Sequence, residues 1–253
     1  MVDSELEESM GGLAKGLAIV ESFDRDHPRL TVTEAANLTG LTPPAARRCM
    51  RTLESLGYLS YDGKFFRPTP RVARLVTAYT DTDSLPRLAA PLLVELRDEF
   101  GESTSLSVLD GNEVLFIGRA EGQHLVKTGQ RVGGRLPAAH SAAGRVLMGD
   151  LAHDVLTEVI EASAGGTTTE KALRGADALA AEVRDVAVRG YSVTDEEVEI
   201  GLRAVAVPVR DPGGLIVASL SISALSARAS VERLVDAFVP ALALRASKLG
   251  RML

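Results

Sequence analysis

Tryptophan is absent from this 253-residue chain, aromatic residues make up only 4% of it, and cysteine occurs once. A single cysteine excludes an intramolecular disulfide and fits a reducing compartment, so the expected location is the cytoplasm. Cys49 falls on an apolar helical stripe, where burial masks a thiol, and reads as a small core residue rather than a nucleophile. The four histidines, His27, His124, His140 and His153, show no metal-ligand spacing with a second His, a Cys or an acid pair, so no metal is expected. There is no GxSxG, Walker or dinucleotide-binding pattern, and therefore no expected catalytic residue or cofactor. Asp195-Glu196-Glu197 offers paired carboxylates, but a run of acids at a strand edge is more often solvated, which leaves an enzyme as the weaker reading. No apolar run reaches about 18 residues, so no transmembrane helix and no membrane partner are indicated. The opening MVDSELEES lacks the basic and apolar regions of a signal peptide and reads as a solvated acidic arm.

An overall excess of positive charge is also missing, since the net charge is −6. Its distribution is uneven. Residues 1–8 hold four acids and no base, residues 9–80 hold ten Lys and Arg against six acids, and residues 81–253 hold 18 against 24. The one basic segment is therefore the stretch before residue 80, and a nucleic-acid groove running along the whole molecule is excluded.

That basic segment carries the clearest local pattern. In Thr31 to Arg71, Thr33 reads as the cap of a short helix with Ala35, Ala36 and Leu38 on its apolar side, and Gly40 suits the left-handed position after it. Thr42 and Pro43 then read as N-cap and first turn of a second helix. Ala45, Cys49, Leu53 and Leu56 form one stripe at helical period, with Arg47, Arg51 and Glu54 opposite and Arg48 on the shoulder. Gly57 stops the helix. Leu59 to Tyr61 and Phe65 to Arg67, joined at Asp62-Gly63, read as a hairpin. Helix, turn, arginine-bearing helix and hairpin together have the form of a winged helix-turn-helix.

Before it, Leu13, Leu17, Val20 and Phe23 mark a first helix; after it, residues 71–80 read as a linker helix, with a polar break near residue 82. Beyond the break, expected elements are a helix from Pro86 to Phe100, a hairpin over Ser103 to Leu109 and Val114 to Arg119, and a strand at Leu125 to Thr128. They continue with a helix capped by Ser141, helices at 153–162 and 177–189, strands at 191–195, 202–210 and 215–224, and a helix from Ser230 to Leu253. Helices flanking a mostly antiparallel sheet make an α+β fold. The expected domains are 9–70 for DNA binding, 71–84 as linker helix, and 85–253 for effector binding and oligomerisation.

Several blocks, LAKGLAIVESF (13–23), RLPAAHSAAGRVLM (135–148), EIGLRAVAVPV (199–209) and GLIVASLSISA (214–224), together with the helix-turn-helix, resemble the IclR family of bacterial transcriptional regulators. The combination of HPRLTVTEAANLTGLTPPAARRCMRTLESLGYL with GGRLPAAHSAAGRVLM is most similar to the branch controlling aromatic-acid breakdown by the β-ketoadipate route. The resemblance implies a winged helix-turn-helix on a pseudo-palindromic duplex, a GAF-like domain taking a small carboxylic acid, and dimers or tetramers.

In such a fold the early outward residues of the second helix reach base edges while flanking groups hold phosphates. Pro44, Arg47 and Arg48 are the expected base contacts, with Arg51 shared between bases and backbone, and Thr33, Thr42, Lys64 and Arg67 the phosphate contacts. In the last strand Ser219, Ser221 and Ser223 share a face, and the helix start after Ser141 offers free N–H groups for a carboxylate. The family resemblance implies effector contacts at Ala142, Ala143, Thr194, Ser221 and Ser223. Thr194 stands where the family can have an acid and Ala204 where it can have a cysteine. Both departures count against glyoxylate or pyruvate and leave room for a larger apolar acid. His140 and Arg145 are further possible carboxylate partners. A regulator of short keto-acid metabolism, or a second domain that only dimerises, are the alternatives.

Overall fold

The computed structural model describes residues 10–24, 26–75, 84–124, 130–163 and 169–253. The chain divides into two compact units, one up to residue 82 and one from residue 83. The expected acidic arm, the strand at 125–128 and most of the linker helix lie outside the described residues; a single 3-10 turn, Pro70–Val72, begins that linker.

In the first unit α1 (Gly11–Glu21), α2 (Val32–Thr39) and α3 (Pro43–Ser55) pack together, and β1 (Leu59–Tyr61) pairs with β2 (Phe66–Pro68). The cap of α2 is Thr31, not Thr33: its hydroxyl accepts the Glu34 N–H while the Glu34 carboxylate accepts the Thr31 N–H at 2.7 Å. The reciprocal pair satisfies two end groups at once, which Thr33 would not. Thr33 sits in the first turn, exposed. Gly40 ends α2 at φ 66°, in the left-handed region. Thr42 occupies the N-cap of α3 with no side-chain capping bond, so its hydroxyl is uncommitted.

The core of this unit is Ile19, Leu30, Ala35, Ala36, Ala46, Met50, Leu59 and Phe66. The buried stripe of α3 is thus Ala46 and Met50, one residue on from the expected Ala45 and Cys49. The reason is that α3 has two apolar flanks: 46 and 50 enter the core, whereas Ala45, Cys49, Leu53 and Leu56 line an open groove against α1, with Cys49 and Leu53 half-buried at the core's edge. Leu13, Leu17 and Val20 line the same groove, and only Ile19 of α1 is fully buried. The hairpin register, Tyr61 opposite Phe66, continues to Asp62, whose N–H donates to the Phe65 carbonyl, so the tight turn is Gly63-Lys64. The Asp62 carboxylate accepts both Lys64 N–H and Phe65 N–H, which holds its pKa below the ordinary range.

The second unit is built on a six-stranded, wholly antiparallel sheet in the order β5-β4-β3-β8-β7-β6. Its strands are β3 (Ser103–Asp110), β4 (Glu113–Ala120), β5 (Arg135–Pro137), β6 (Ser192–Asp195), β7 (Leu202–Arg210) and β8 (Ile216–Leu225). One face is covered by α4 (Ser84–Phe100) and the C-terminal helix α8 (Val239–Gly250), through Leu92, Leu96, Val207, Leu220, Ile222 and Leu242. The helix predicted from Ser230 reaches α8 through one turn of α-helix and a π-turn at Leu234–Phe238, and it ends at Gly250. The other face carries α5 (Ala142–Leu147), α6 (His153–Ser163) and α7 (Ala176–Arg189), packed through Val114, Phe116, Val146, Ile160, Val183 and Ala206. The architecture is α+β, as expected. Because side chains alternate along a strand, β8 sends Leu220, Ile222 and Ala224 to the first face and Ser219, Ser221 and Ser223 to the second.

Candidate functional site

The first candidate surface is the exposed side of α3 with the hairpin beside it. Thr42, Pro44 and Arg47 are exposed, and Arg47 forms no hydrogen bond or ion pair with another described residue. Arg51 is tied down: it donates to Glu54 at 2.7 Å and lies over the ring of Tyr61 at 4.3 Å. It therefore braces α3 against the hairpin as well as offering charge. Arg48 does not share the Arg47 side; it lines the apolar groove. On the hairpin, Lys64 sits over Phe65 and Arg67 pairs with Asp62 at 3.2 Å. Arg29, which sequence reasoning passed over, stacks on the other contact of the hairpin tip, 4.3 Å from the Phe65 ring centre. Its signal was only a lone arginine after Pro28 in a charged loop. The surface thus collects Arg29, Arg47, Arg51, Lys64 and Arg67 on one unit, with Asp62 and Glu54 as the acids that orient them.

The second candidate site is a cavity between the sheet and the start of α5. It is lined by Phe116, Gln130, Leu136, Ser141, Ala142, Ala143, Thr194, Val198, Leu202, Ala204, Ser221 and Ser223. All six residues expected from the sequence, Ala142, Ala143, Thr194, Ala204, Ser221 and Ser223, meet here, although more than 80 residues separate the first from the last. Strand register brings three of them side by side: Thr194 opposes Ala204, and Ala204 opposes Ser223. Ser141 caps α5 by accepting the Gly144 N–H at 3.0 Å, and its carbonyl takes the Arg145 N–H. That leaves the N–H groups of Ala142 and Ala143 at the cavity wall without a partner among the described residues. The cavity measures about 30 Å3, room for about two or three water molecules where about 10–15 Å3 holds one.

Gly144 makes the close approach possible. A Cβ there would stand 2.1 Å from the Ala138 carbonyl oxygen, so only glycine lets α5 lie on the 138–140 turn.

The serine ladder is buried, not solvated: Ser219 and Ser221 are both under 5% exposed. It extends across the sheet, since Ser105 opposes Ser221 and Ser107 opposes Ser219. Arg119 of β4 reaches this row and donates to the Ser105 hydroxyl at 2.8 Å. Burial pushes its guanidinium pKa down, while nearby Glu121 pulls it up. Arg119, on β4, thus brings a guanidinium to the serine row at Ser105 on β3, the strand next to Ser221, with the Glu121 charge beside it, a feature the sequence hid inside an apolar strand.

Two expected carboxylate partners are corrected. Arg145 is 2% exposed, but its guanidinium is committed: Nη1 and Nη2 donate to Glu197 at 3.0 and 2.6 Å, and Nε donates to the Ala139 carbonyl. It has no free edge for a ligand, and it does not line the cavity. Glu197 is correspondingly not a solvated acid of the 195–199 run; it is the half-buried counter-charge of the buried Arg145 and also accepts the Leu173 N–H. His140 is buried as well. Its desolvation lowers its pKa, helped by Arg145 and Arg174 and opposed by Glu197. It lines a separate pocket with Arg174 and the start of α7, not the cavity described above.

No group of three or more His, Cys, Asp or Glu side chains that could hold a metal ion occurs among the described residues, and none of their helices is long and apolar enough to cross a membrane.

Comparison with known proteins follows the same division. Residues 12–63 match the family described as IclR helix-turn-helix domain, and residues 77–251 match bacterial transcriptional regulator IclR C-terminal. The Pca regulon regulatory protein of Pseudomonas putida is 33% identical over 92% of this chain and 80% of its own length. The p-hydroxybenzoate hydroxylase transcriptional activator of Acinetobacter baylyi is 34% identical over 97% of this chain and 93% of its own. Among solved structures, an IclR homolog from Microbacterium hydrocarbonoxydans complexed with 4-hydroxybenzoate is 24% identical, covers 96% of this chain and 100% of its own, and superposes with a TM-score of 0.78. At that identity it speaks for the shared fold.

Proposed function

Because the chain belongs to the IclR family of bacterial transcriptional regulators, a family of DNA-binding proteins and not of enzymes, we propose that it switches transcription of genes for the breakdown of an aromatic carboxylic acid in response to that acid. The observation that carries the reading is the make-up of the cavity. Its walls are apolar at Phe116, Leu136, Val198 and Leu202, and its polar groups are hydroxyls, main-chain N–H groups and the Gln130 amide. Such a lining stabilises one carboxylate through several neutral donors and leaves the remainder of the ligand to apolar contact. The relatives that control p-hydroxybenzoate and Pca genes support the aromatic class.

On DNA, Pro44 and Arg47 read base edges and Arg51 shares its charge with the backbone, whereas Arg48, expected beside them, lies off that side in the groove on α1 and α3. Thr33, Thr42, Lys64 and Arg67 hold phosphates. Arginine suits the first role because its fork grips O6 and N7 of guanine together. The regulator works in the cytoplasm as a homodimer, or as a tetramer of paired dimers, on a pseudo-palindrome whose half-sites lie about 34–36 Å apart or a multiple of that. The groove on α1 and α3, with exposed Met10, Leu13, Leu17, Leu56 and Leu75, supports self-association, since scattered leucines seldom gather on a monomer surface without use.

The volume near 30 Å3 favours a second reading, in which the effector is a short keto acid. A benzene-sized guest needs a cavity of roughly 150 Å3. For an aromatic acid to enter, the wall bearing Gln130 and Leu136 must yield, and that movement is then the signal itself. Thermal melting of the full chain with protocatechuate, 4-hydroxybenzoate, β-ketoadipate, glyoxylate and pyruvate separates the readings. A ligand that binds only the folded state raises the melting temperature. A shift with an aromatic acid alone supports the first reading; a shift with glyoxylate or pyruvate alone replaces it with the second; none at all leaves a domain that only dimerises.

A further inference from the structure

The tip of the hairpin in the first unit gathers more positive charge than its fold requires. Leu30 and Phe66 exchange both backbone hydrogen bonds, at 3.0 and 2.8 Å, and both side chains are buried. Their neighbours Arg29, Phe65 and Arg67 therefore turn outward. The Arg29 guanidinium lies 4.3 Å from the Phe65 ring centre, and the Lys64 ammonium lies 5.0 Å from the same centre. One exposed cation on a ring stabilises a fold modestly; a second on the same ring adds repulsion, so folding has no need of both.

Neither side-chain cation forms an ion pair or hydrogen bond with another described residue. The acids whose charge they feel, Asp62 and Glu34, are committed elsewhere. Asp62 accepts the Lys64 and Phe65 N–H groups and Arg67, while Glu34 accepts the Thr31 N–H and hydroxyl. The backbone on both sides of Arg29 is fixed. Before it, Asp24 accepts the Asp26 and His27 N–H groups, and the Pro28 ring locks its own φ. After it come the Leu30–Phe66 bridge and the capping box of α2. The stacked guanidinium is thus held in place before any partner arrives, which lowers the entropy lost on binding. The hairpin is also joined to the arginine-bearing helix, because Arg51 of α3 lies 4.3 Å from the Tyr61 ring centre and 5.5 Å from that of Phe66.

We infer that Arg29 and Lys64, set on the Phe65 ring, form a clamp for DNA phosphates beside the bases read by α3, with Arg29 as a contact from outside the helix-turn-helix and Phe65 as the residue that positions it. The clamp adds affinity and carries no sequence preference. The inference rests on the proposed operator contacts only in that the winged unit meets DNA.

Anisotropy titration of the full chain across a range of salt concentrations tests it, on a duplex from the region flanking its own gene and on a random-sequence duplex of the same length. Arg29→Ala should weaken binding to both duplexes by the same factor, about tenfold at low salt. The plot of log affinity against log salt should become shallower by about 0.9, the release from one phosphate. Arg29→Lys keeps the charge and should keep the slope. Phe65→Leu should weaken both duplexes about two- to fivefold, and Phe65→Tyr, which keeps the ring, should bind like the wild type. Added to Arg29→Ala, Phe65→Leu should cost less than it does alone, because the cation it positions is gone. An unchanged slope in Arg29→Ala, a loss confined to the flanking duplex, or full additivity of the two substitutions would each overturn the inference while Arg47 keeps its role. Failure of the wild type to bind either duplex would overturn it together with the operator contacts proposed above.

Discussion

Replacing Glu197 by glutamine keeps its volume and removes its charge, and the consequence can be worked from the contacts. The carboxylate accepts both Nη groups of Arg145 and the Leu173 N–H, at 3.0, 2.6 and 3.1 Å. Arg145 is 2% exposed, and its only other acceptor among the described residues is the Ala139 carbonyl. The variant therefore leaves a buried guanidinium without a counter-charge, and breaking such a pair from one side costs about 3–5 kcal/mol. The effector unit spans residues 83–253, and for domains of that size 1 kcal/mol moves the midpoint by about 2–4 °C. Glu197→Gln should thus lower the unit's melting temperature by about 6–20 °C, read by calorimetry and by urea unfolding followed by circular dichroism. The double variant Arg145→Met, Glu197→Leu removes both charges and should recover most of the loss, because well-packed apolar pairs replace buried ion pairs at little or no net cost. A Glu197→Gln midpoint within about 2 °C of wild type, or a double variant worse than the single one, would refute this account of α5. It would reopen Arg145 as a ligand group.

Three further outcomes are expected. Arg47→Ala should weaken specific operator binding by about 1–3 kcal/mol, with the loss confined to one base position in each half-site, as measured by anisotropy on variant duplexes; unchanged affinity would remove Arg47 from the interface. Gly144→Ala should prevent α5 from seating on the 138–140 turn, because the new methyl would overlap the Ala138 oxygen at 2.1 Å, and the effector unit should lose its cooperative melting; a stable, ligand-binding variant would contradict that packing. His140 has a folded pKa below its ordinary 6.5, so the unfolded chain takes up its proton first. Its contribution is intact above pH 6.5 and is lost as pH falls from there towards the lower folded value. His140→Gln should flatten the stability profile in that window, and an unchanged acid slope would show that His140 is not the group responsible.

Much of this architecture is legible locally. The Ser141 cap, the Gly-ended helices and the alternation of Ser219, Ser221 and Ser223 with Leu220, Ile222 and Ala224 each depend on neighbours within a few residues, and each stands in the structure where the pattern put it. The six residues carried over from the family resemblance also converge on one cavity. What escaped depends on distant partners. Arg145 and Glu197 are 52 residues apart, so nothing in the acidic run marks Glu197 as the partner of a buried arginine. Arg119 bonds Ser105 across a strand pair, and Gln130 sits in a loop with no periodicity to give it a direction. The stripe of α3 was misread by one residue because that helix has two apolar flanks, one entering the core and one lining the groove, and a period alone does not rank them. The cap of α2, expected at Thr33, lies at Thr31 for the same kind of reason: either hydroxyl could cap, and only the reciprocal bond to Glu34 decides.

The claim on which all of this turns is that acid bound between α5 and the sheet alters the grip of the winged unit on DNA. The direct measurement is an anisotropy titration of the full chain on operator DNA from the region flanking its own gene, with and without saturating 4-hydroxybenzoate, for the wild type and for Ser221→Ala, Ser223→Ala. The account predicts that the acid changes operator affinity in the wild type and leaves it unchanged in the double variant, which binds the DNA equally well without acid. Operator affinity indifferent to the acid in the wild type, or an equal response in the double variant, would contradict it.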